Sequence, residues 1–281
     1  MTSEKRQETE QILTDAGFHW RETGGVKVLV CDALERAGFA NGFSTRLGGV
    51  SPFPENDLNL AGFDEDSSEN IEENRRRFLS AFDRDFKLAT AWQVHGDGVK
   101  EIANGADVSN SNEKFDALVS NLPGILVGVK TADCVPVLLG DPKKRAFAAV
   151  HAGWRGTGQS IVVRAVERMT KVFGTDPGDV IAAIGPAASG RCYEVGQDVI
   201  DAFKAKFKSS EKYFSATREG HALVDLHSAN KDQLIDSGLV EASISIAPFC
   251  TMERIDLFFS YRIEKKKYGK TGRLLSVIGK G

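Results

Sequence analysis

One cysteine and one histidine have the residue types and the spacing for shared chemistry. Cys134 precedes a short apolar run, Val135 to Leu139, and His151 follows a second one, Ala146 to Val150, after a polar turn. Two apolar runs joined by a polar turn predict a β-hairpin buried on both faces. Such a hairpin would bring Cys134 close to His151 at its open end. A thiol and an imidazole placed there can bind a metal or act as nucleophile and base.

A second histidine extends this pair to a candidate metal site. His95 stands in a tight turn that joins a predicted strand, Leu88 to Val94, to another, Val99 to Ile102. Two imidazoles and one thiolate suit Zn²⁺, and three protein ligands with an open fourth position are typical of a catalytic zinc site. The cysteines form no C-x-x-C pair, so the site has to be assembled from distant segments. The alternatives are that Cys134 is only a buried cysteine, His151 a core histidine and His95 a solvent-exposed turn histidine.

Two further segments have features of ligand sites. The glycine-rich turn from Gly153 to Gly158 precedes a predicted helix, whose first N–H groups favour an anion, and Arg155 adds a full charge. The turn is neither a Walker loop nor a G-x-G-x-x-G fingerprint. Arg46 stands at the entrance of a Gly- and Pro-rich loop that contains Asn59, and such loops often carry ligand contacts. A solvated surface charge is the alternative for Arg46.

Short strands outnumber helices in the hydrophobic pattern. The clearest helical stripe runs from Ile161 to Phe173, which Thr157 can cap and Gly174 can end. Because helices and strands are not regularly interleaved, the pattern favours an α+β fold with mixed β-sheets in a single domain. Other predicted strands are Val26 to Val30, Phe39 to Arg46, Phe115 to Val119, Ile125 to Val129, Val180 to Ile184, Ser243 to Ile246, Leu257 to Tyr261 and Leu274 to Ile278. A capping box at Asp66 and Glu69 predicts the start of a helix that ends near Asp83. Two more helices are predicted from Gln197 to Phe207 and from Leu226 to Asp236, and a basic loop from Lys265 to Lys270.

The composition is that of an ordinary globular protein. The chain has 281 residues, 41% of them hydrophobic, and a net charge of −3, so nothing suggests a nucleic acid or a membrane surface as partner. The first residues are polar and charged rather than a signal peptide, and residues 1–24 are predicted to be a polar N-terminal extension of a domain spanning 25–281. Four scattered cysteines suggest free thiols and a reducing cytoplasm. The oligomeric state is left open.

Several longer segments occur in a characteristic order along the chain. They are FSTRLGGVS, LNL, WQVHGDGV, TADCVPVLLGD, VHAGWRGT, IGPAASGRCYEVG, VDLHSANKDQL and CTMERIDLFFSYR. From about Gly42 to Ile278 this order resembles the laccase-domain (multicopper polyphenol oxidase-type) family of purine nucleoside phosphorylases, also described as peptidoglycan editing factor-like. Two stretches depart from the family pattern and bear on substrate preference: Ala187 to Arg191, and Arg262-Ile263 where the family has paired arginines.

The resemblance implies both an activity and a set of site residues. It implies an α+β fold with mixed β-sheets in a sandwich-like core and flanking helices, and a zinc site built from His95, Cys134 and His151. The implied reactions are phosphorolysis of adenosine, inosine, guanosine and methylthioadenosine, with adenosine deamination as a second activity. Asp133 would then shuttle protons or orient a ligand, and the partners are small molecules, purine nucleosides and phosphate. The candidates for contacts with substrate or phosphate are Arg46, Asn59, Gln93, Arg155 and Arg262.

Three other functions compete with this interpretation. A metal-free Cys/His hydrolase would use Cys134 as nucleophile and His151 as base, which fits relatives described as editing mis-built peptidoglycan precursors. A copper polyphenol oxidase is disfavoured, because a multicopper centre needs His-x-His pairs and the chain has none. A non-catalytic binding module is disfavoured by the intact histidine, cysteine and arginine candidates.

Overall fold

The computed structural model describes residues 10–52, 57–61, 66–108 and 111–281, and its core is built from β-strands. Within these residues the strands are β1 (Phe18–Thr23), β2 (Val26–Cys31), β3 (Ala40–Ser44), β4 (Lys87–Ala89), β5 (Val99–Glu101), β6 (Ala117–Ser120), β7 (Ile125–Thr131), β8 (Val135–Asp141), β9 (Ala146–Ala152), β10 (Ile181–Ile184), β11 (Glu194–Gly196), β12 (Phe214–Arg218), β13 (His221–Val224), β14 (Ile244–Ile246) and β15 (Leu274–Lys280). The α-helices there are α1 (10–15), α2 (Asp32–Arg36), α3 (Ser68–Leu79), α4 (Gly105–Val108), α5 (Trp154–Gly158), α6 (Ile161–Phe173), α7 (Gln197–Lys206), α8 (Leu226–Asp236) and α9 (Tyr261–Tyr268).

The described strands form two large sheets and one small one. The first sheet has the order β1-β2-β3-β15-β7-β4, the second β14-β10-β8-β9-β6-β5, and the small sheet β11-β13-β12. Most neighbours are antiparallel, but β4 with β7, β5 with β6, and β10 with β14 run parallel. The sheets are therefore mixed, as the irregular alternation of helices and strands predicts.

The two large sheets stack face to face, and β9 shows how the layers are built. Ala146, Ala148 and Val150 pack with α6 and α8 on the outer side of the second sheet. Phe147 and Ala149, on the opposite face of the strand, pack against residues of the first sheet. Such alternation is what a strand buried on both faces requires. The outer face of the first sheet is covered in turn by α3. The α+β sandwich with flanking helices is thus confirmed.

Several local predictions are wrong in instructive ways. Leu257 to Tyr261 forms no strand: Ser260 caps α9 by accepting a hydrogen bond from the N–H of Ile263, and the helix covers part of the predicted basic loop. The N-cap of α6 is Ser160 rather than Thr157, although Gly174 does end the helix. The N-cap of α3 is Ser67, and the helix ends at Leu79 rather than near Asp83.

Residues 18–23, near the start of the described part of the chain, form a strand of the first sheet. Phe18–Thr23 pairs with β2 along its whole length, so the polar extension predicted for residues 1–24 contains a sheet strand. This strand was missed because only one of its residues, Phe18, is fully buried. The predicted strand Leu88 to Val94 is shortened to β4, which lies in a different sheet from β5. Among the described residues, no helix combines the length and the apolar character needed to cross a membrane.

Candidate metal centre and ligand cavity

The hairpin of β8 and β9 brings Cys134 next to His151, as predicted. Pro136 pairs with His151 in the antiparallel register, and Cys134 lies two residues before Pro136. Asp133 adopts φ 83°, in the left-handed region that aspartate tolerates better than most residues. The thiol and the imidazole therefore meet at the open end of the hairpin.

His95 completes a cluster of three donors. The ligand atoms of His95, Cys134 and His151 all lie within 4.8 Å of one another, and the two imidazole centroids are 4.9 Å apart. Zinc bond lengths to nitrogen and sulfur separate tetrahedral ligands by about 3.5 Å, so small side-chain rotations suffice for these donors to share one ion. His151 is 3% exposed whereas His95 is exposed, so the cluster opens to solvent on one side. The cluster could therefore bind a metal ion.

Asp116 fixes the geometry of this cluster. Its carboxylate is buried and accepts a hydrogen bond from Nδ1 of His151 at 2.8 Å. It also accepts the backbone N–H groups of Val94 at 3.2 Å, His95 at 2.9 Å and Gly96 at 2.8 Å. A neutral histidine that donates a hydrogen bond through Nδ1 leaves Nε2 free to bind a metal, which is the usual arrangement of metal-binding histidines. One carboxylate thus orients both histidines.

The protonation equilibria of the cluster are strongly shifted. Burial alone would raise the pKa of Cys134, but the charge and hydrogen bonds of His151, with a hydrogen bond from His95, lower it from 9.0 to about 6. Burial alone would lower the pKa of His151, but the charge of Cys134 and the hydrogen bond to Asp116 raise it from 6.5 to about 9. At neutral pH the metal-free cluster is therefore a thiolate–imidazolium pair. The thiolate is the form of cysteine that binds metals and attacks electrophiles.

Gly153 keeps space open beside the donors. A Cβ at this position would lie 3.0 Å from Sγ of Cys134 and 3.1 Å from Cδ2 of His95. Its φ of −69° is accessible to any residue, so space rather than backbone conformation requires glycine here. The glycine-rich turn is itself the short helix α5, packed against the cluster, rather than a loop that precedes a helix.

The cluster lies in the wall of a cavity of about 710 Å³, a volume typical of small-molecule sites. Asp133 is the one carboxylate among the described residues that line the cavity. The lining residues also include five cationic side chains and several large aromatic rings. These are Arg75, Lys130, Arg155, Arg262 and Arg273, with Trp92, Trp154, Tyr193 and Tyr261. Guanidinium groups in the wall of a cavity are suitable donors to an anionic ligand.

Three of the predicted substrate-contact residues line the cavity. The Gln93 amide makes two hydrogen bonds with the backbone of Lys130, at 2.6 and 2.7 Å, so it positions β7. Arg155 is exposed and lies 4.2 Å from the centroid of Trp154. The third residue is Arg262. Arg155 is placed to meet a ligand. Arg262 already donates one N–H to the carbonyl of Glu194 at 2.8 Å, and both amide atoms of Gln93 are occupied by main-chain groups.

Asp133 also lines the cavity, but its carboxylate is engaged by three donors. Oδ1 accepts the hydroxyl of Thr251 at 2.7 Å, and Oδ2 accepts the hydroxyl of Ser260 at 3.1 Å and the N–H of Arg262 at 2.7 Å. Burial raises the pKa of Asp133 against these hydrogen bonds. The contacts anchor the first turn of α9, and with it Arg262, to the metal cluster.

Arg46 and Asn59 do not line the cavity. The Arg46 guanidinium is buried, with bonds of 3.0 and 2.6 Å to Asp57 and one of 2.9 Å to Glu264. It is therefore neither the predicted phosphate contact nor the solvated surface charge, because a buried guanidinium needs carboxylate partners. The Asn59 side chain accepts the N–H of Arg273 at 2.9 Å and so holds the start of β15.

Asp116 is a residue of the cluster that the sequence patterns do not identify. It lies within the predicted strand Phe115 to Val119, and an acid in a buried strand must find a strong partner. The acid itself is visible in the sequence, but its partner is not. The pairing of β6 with β9, in which Ala117 lies opposite Val150, places Asp116 beside His151.

Solved structures share this fold over nearly the whole chain. A Bacillus licheniformis hypothetical protein, YfiH, matches with a TM-score of 0.86 and 28% identity, covering 94% of this chain and 99% of that one. YlmD from Geobacillus stearothermophilus matches with a TM-score of 0.85 and 30% identity, covering 94% and 98%. The fold of this chain is therefore one seen in bacterial YfiH and YlmD proteins.

Sequence comparison assigns the family. Residues 40–280 match the family model described as multi-copper polyphenol oxidoreductase laccase, and the chain belongs to that family. Purine nucleoside phosphorylase YlmD of Bacillus subtilis is 34% identical over 245 residues, 85% of this chain and 87% of the relative. Purine nucleoside phosphorylase YfiH of Escherichia coli is 34% identical over 252 residues, 90% and 98%. The resemblance seen in the motifs is thereby confirmed.

Proposed function

We propose that the protein is a zinc-dependent purine nucleoside phosphorylase that acts on adenosine, inosine, guanosine and methylthioadenosine, with adenosine deamination as a second activity. The names of its relatives support the first reaction. The observation that carries the proposal is the opening of a His–Cys–His donor cluster into a cation-rich cavity of about 710 Å³. Such a cavity can hold phosphate and a nucleoside together, next to a bound ion.

His95, Cys134 and His151 would hold the ion, which would act as a Lewis acid where the substrate binds. In the part of the chain that the structure describes, these residues form the one close group of three or more His, Cys, Asp or Glu donors. This supports a single-ion site over a multicopper centre, although the family description names copper. The thiolate and the two imidazoles favour zinc among the divalent ions available to such sites.

In phosphorolysis, a phosphate oxygen attacks the anomeric carbon, the bond to the purine nitrogen breaks, and the purine leaves with a proton. Arg155 and Arg262 are the proposed phosphate contacts, since guanidinium groups bind phosphate through paired N–H donors. Asp133 would orient Arg262, because its carboxylate accepts the backbone N–H of that residue. This contact supports the ligand-orienting role of Asp133 over the proton shuttle.

In deamination, water attacks purine C6 and ammonia leaves. The aromatic rings of Trp92 and Tyr261 line the cavity and are 51% and 49% exposed, so they can stack on a purine face. We place these reactions in a reducing cytoplasm, since the four cysteines are free thiols.

Product identification tests this proposal. Adenosine is supplied with and without phosphate to the zinc-loaded protein, to Cys134→Ala and to Cys31→Ala, which alters a buried cysteine of the first sheet. Adenine with ribose phosphate shows phosphorolysis, and inosine shows deamination. We expect both products from the wild type and Cys31→Ala and neither from Cys134→Ala. Full turnover by metal-free Cys134→Ala would contradict the proposal.

A second candidate function is favoured by the hydrogen bond between His151 and Asp116. The thiolate of Cys134, already formed near neutral pH, would be the nucleophile, and His151 would be the base. Asp116 would orient His151 through their hydrogen bond. A Cys/His hydrolase that cleaves amide bonds in mis-built peptidoglycan precursors would use these three residues without a metal. EDTA would leave such hydrolysis intact and a thiol alkylator would abolish it, whereas EDTA would abolish the zinc-dependent reactions.

A further inference from the structure

Two cysteines, Cys192 and Cys250, lie close together outside the cavity and apart from the cluster of His95, Cys134 and His151. Cys192 belongs to the segment between β10 and β11, and Cys250 follows β14. Their Sγ atoms are 3.0 Å apart, and both are free thiols. The two segments are joined beside the pair by a bridge between Ala187 and Cys250 and by the N–H of Thr251, which donates to the carbonyl of Ala187 at 3.0 Å.

Polar groups around the two sulfurs suit a reactive pair. The N–H of Ser189 points to Sγ of Cys250 at 3.4 Å, and the hydroxyl of Ser189 lies 3.6 Å from Sγ of Cys192. Cys250 is 1% exposed, whereas Cys192 is partly exposed and so gives access from solvent. Burial raises the pKa of Cys250, but hydrogen bonds from Cys192 and Ser189 outweigh burial and lower it, which favours a thiolate.

We propose that Cys192 and Cys250 form a redox-active dithiol that closes reversibly to a disulfide when the protein meets a peroxide. A disulfide bond is about 2.05 Å long, so the sulfurs need to approach by only about 1 Å. One thiolate attacks a peroxide oxygen, the O–O bond breaks, and a sulfenic acid and hydroxide form. The second thiol attacks the sulfenic sulfur, the S–S bond forms and water leaves. In sum, two thiols and one hydrogen peroxide give one disulfide and two waters.

The position of the pair links its oxidation state to the cavity. Tyr193, next to Cys192, lines the cavity, and the guanidinium of Arg262 lies 5.0 Å from its ring centroid. Thr251, next to Cys250, donates to Asp133 at 2.7 Å. A disulfide would therefore lock together two segments that each contact a residue of the cavity wall.

The test uses the full chain carrying Cys134→Ser, which removes the reactive thiol of the metal cluster and leaves Cys31, Cys192 and Cys250. After brief treatment with hydrogen peroxide, the protein is unfolded and its remaining thiols are alkylated, and intact mass and non-reducing peptide maps are recorded. We expect the loss of two hydrogen atoms, a crosslinked peptide pair containing Cys192 and Cys250, one alkylated thiol, and full reversal by dithiothreitol.

Matched variants distinguish the proposed pair from general oxidation. Adding Cys31→Ser should leave the crosslink intact, because that thiol is buried in another part of the core. Adding either Cys192→Ser or Cys250→Ser should abolish the crosslink, and the variant that keeps the peroxide-reactive thiol should retain a sulfenic acid that dimedone traps. Three alkylatable thiols after peroxide treatment, or a crosslink that involves Cys31 or a second chain, would overturn the proposal.

Discussion

At the scale of single residues, Asp116 determines whether the three donors can act together. It binds His151 through one hydrogen bond and the His95 turn through three, so both histidines depend on one buried carboxylate. We predict that Asp116→Asn lowers zinc affinity by about 10- to 100-fold, because an amide can no longer accept all these N–H groups or fix the imidazole tautomer. A competition titration with a chromogenic chelator measures the change.

Asp107→Asn is the matched control, since Asp107 accepts the N–H groups of Ala103 and Asn104 in an exposed turn. Its zinc affinity should equal that of the wild type. If Asp116→Asn also bound zinc as tightly as the wild type, the orienting role of Asp116 would be refuted.

The thiolate of Cys134 can be tested by its pH dependence in metal-free protein. Its pKa is lowered to about 6, so the thiolate fraction falls as pH drops through 6 and is nearly complete at pH 8. Alkylation by iodoacetamide, followed by mass spectrometry from pH 5 to 9, should show a midpoint near pH 6. His151→Gln removes the stabilising imidazolium and should move the midpoint upward. A wild-type midpoint near the ordinary value of 9.0 would contradict the thiolate–imidazolium pair.

Sequence patterns identified the donors but not the residues that position them. Cys134 and His151 flank apolar runs that pair as a hairpin, so their proximity follows from a contact that is local in the sequence. Arg46 illustrates the opposite situation: its partner Glu264 lies 218 residues further along the chain. No local pattern reveals such a partner, and the buried guanidinium was therefore interpreted as a ligand contact.

At the scale of secondary structure, α5 and the hairpin must pack closely for the donors to converge. Gly153→Ala would place a methyl group 3.0 Å from Sγ of Cys134, and the thiol or His95 would have to move. We predict at least a tenfold loss of zinc affinity with an unchanged circular dichroism spectrum, because a displacement of about 1 Å is enough to spoil a ligand position.

Gly158→Ala is the control within the same helix, since its Cβ would lie 3.8 Å from Phe203, an ordinary contact. It should retain zinc affinity and gain some helix stability, by about 0.5–1 kcal/mol. Equal zinc affinity in both variants would show that the space beside Gly153 is not needed.

Secondary structure was predictable where burial and periodicity agree. β8, β9, α6 and α8 combine continuous apolar runs or a helical stripe with turn residues at their ends, and all were predicted. Leu257 to Tyr261 is apolar enough for a strand, yet Ser260 caps a helix and Asp133 accepts the N–H of Arg262 in its first turn. Asp133 and Arg262 are 129 residues apart in the sequence, so no local pattern predicts this hydrogen bond.

At the scale of the whole molecule, charge is distributed between a structural network and a ligand cavity. Arg46, with Asp57 and Glu264, ties the loop after β3 to α9 in the interior. We predict that Arg46→Ala destabilises the protein by about 3–5 kcal/mol, because two buried carboxylates lose their partner, while the affinity for phosphate in the folded protein is unchanged. Urea unfolding and calorimetric titration with phosphate measure the two quantities.

Arg155→Ala should give the reverse result, since Arg155 is exposed and lines the cavity. Loss of a charge-assisted hydrogen bond should weaken phosphate binding by about 10-fold or more, with little change in the free energy of unfolding. Should Arg46→Ala weaken phosphate binding and Arg155→Ala leave it untouched, the assignment of the two arginines would have to be exchanged.

The most direct measurement is the metal content of the purified protein, determined by plasma mass spectrometry after zinc loading and removal of excess ion. The wild type and Cys31→Ala should each retain about one zinc per chain, and Cys134→Ala and His151→Ala should retain almost none while keeping their fold. Retention of zinc by Cys134→Ala and His151→Ala at the wild-type level would show that the ion is held elsewhere and would contradict the shared site.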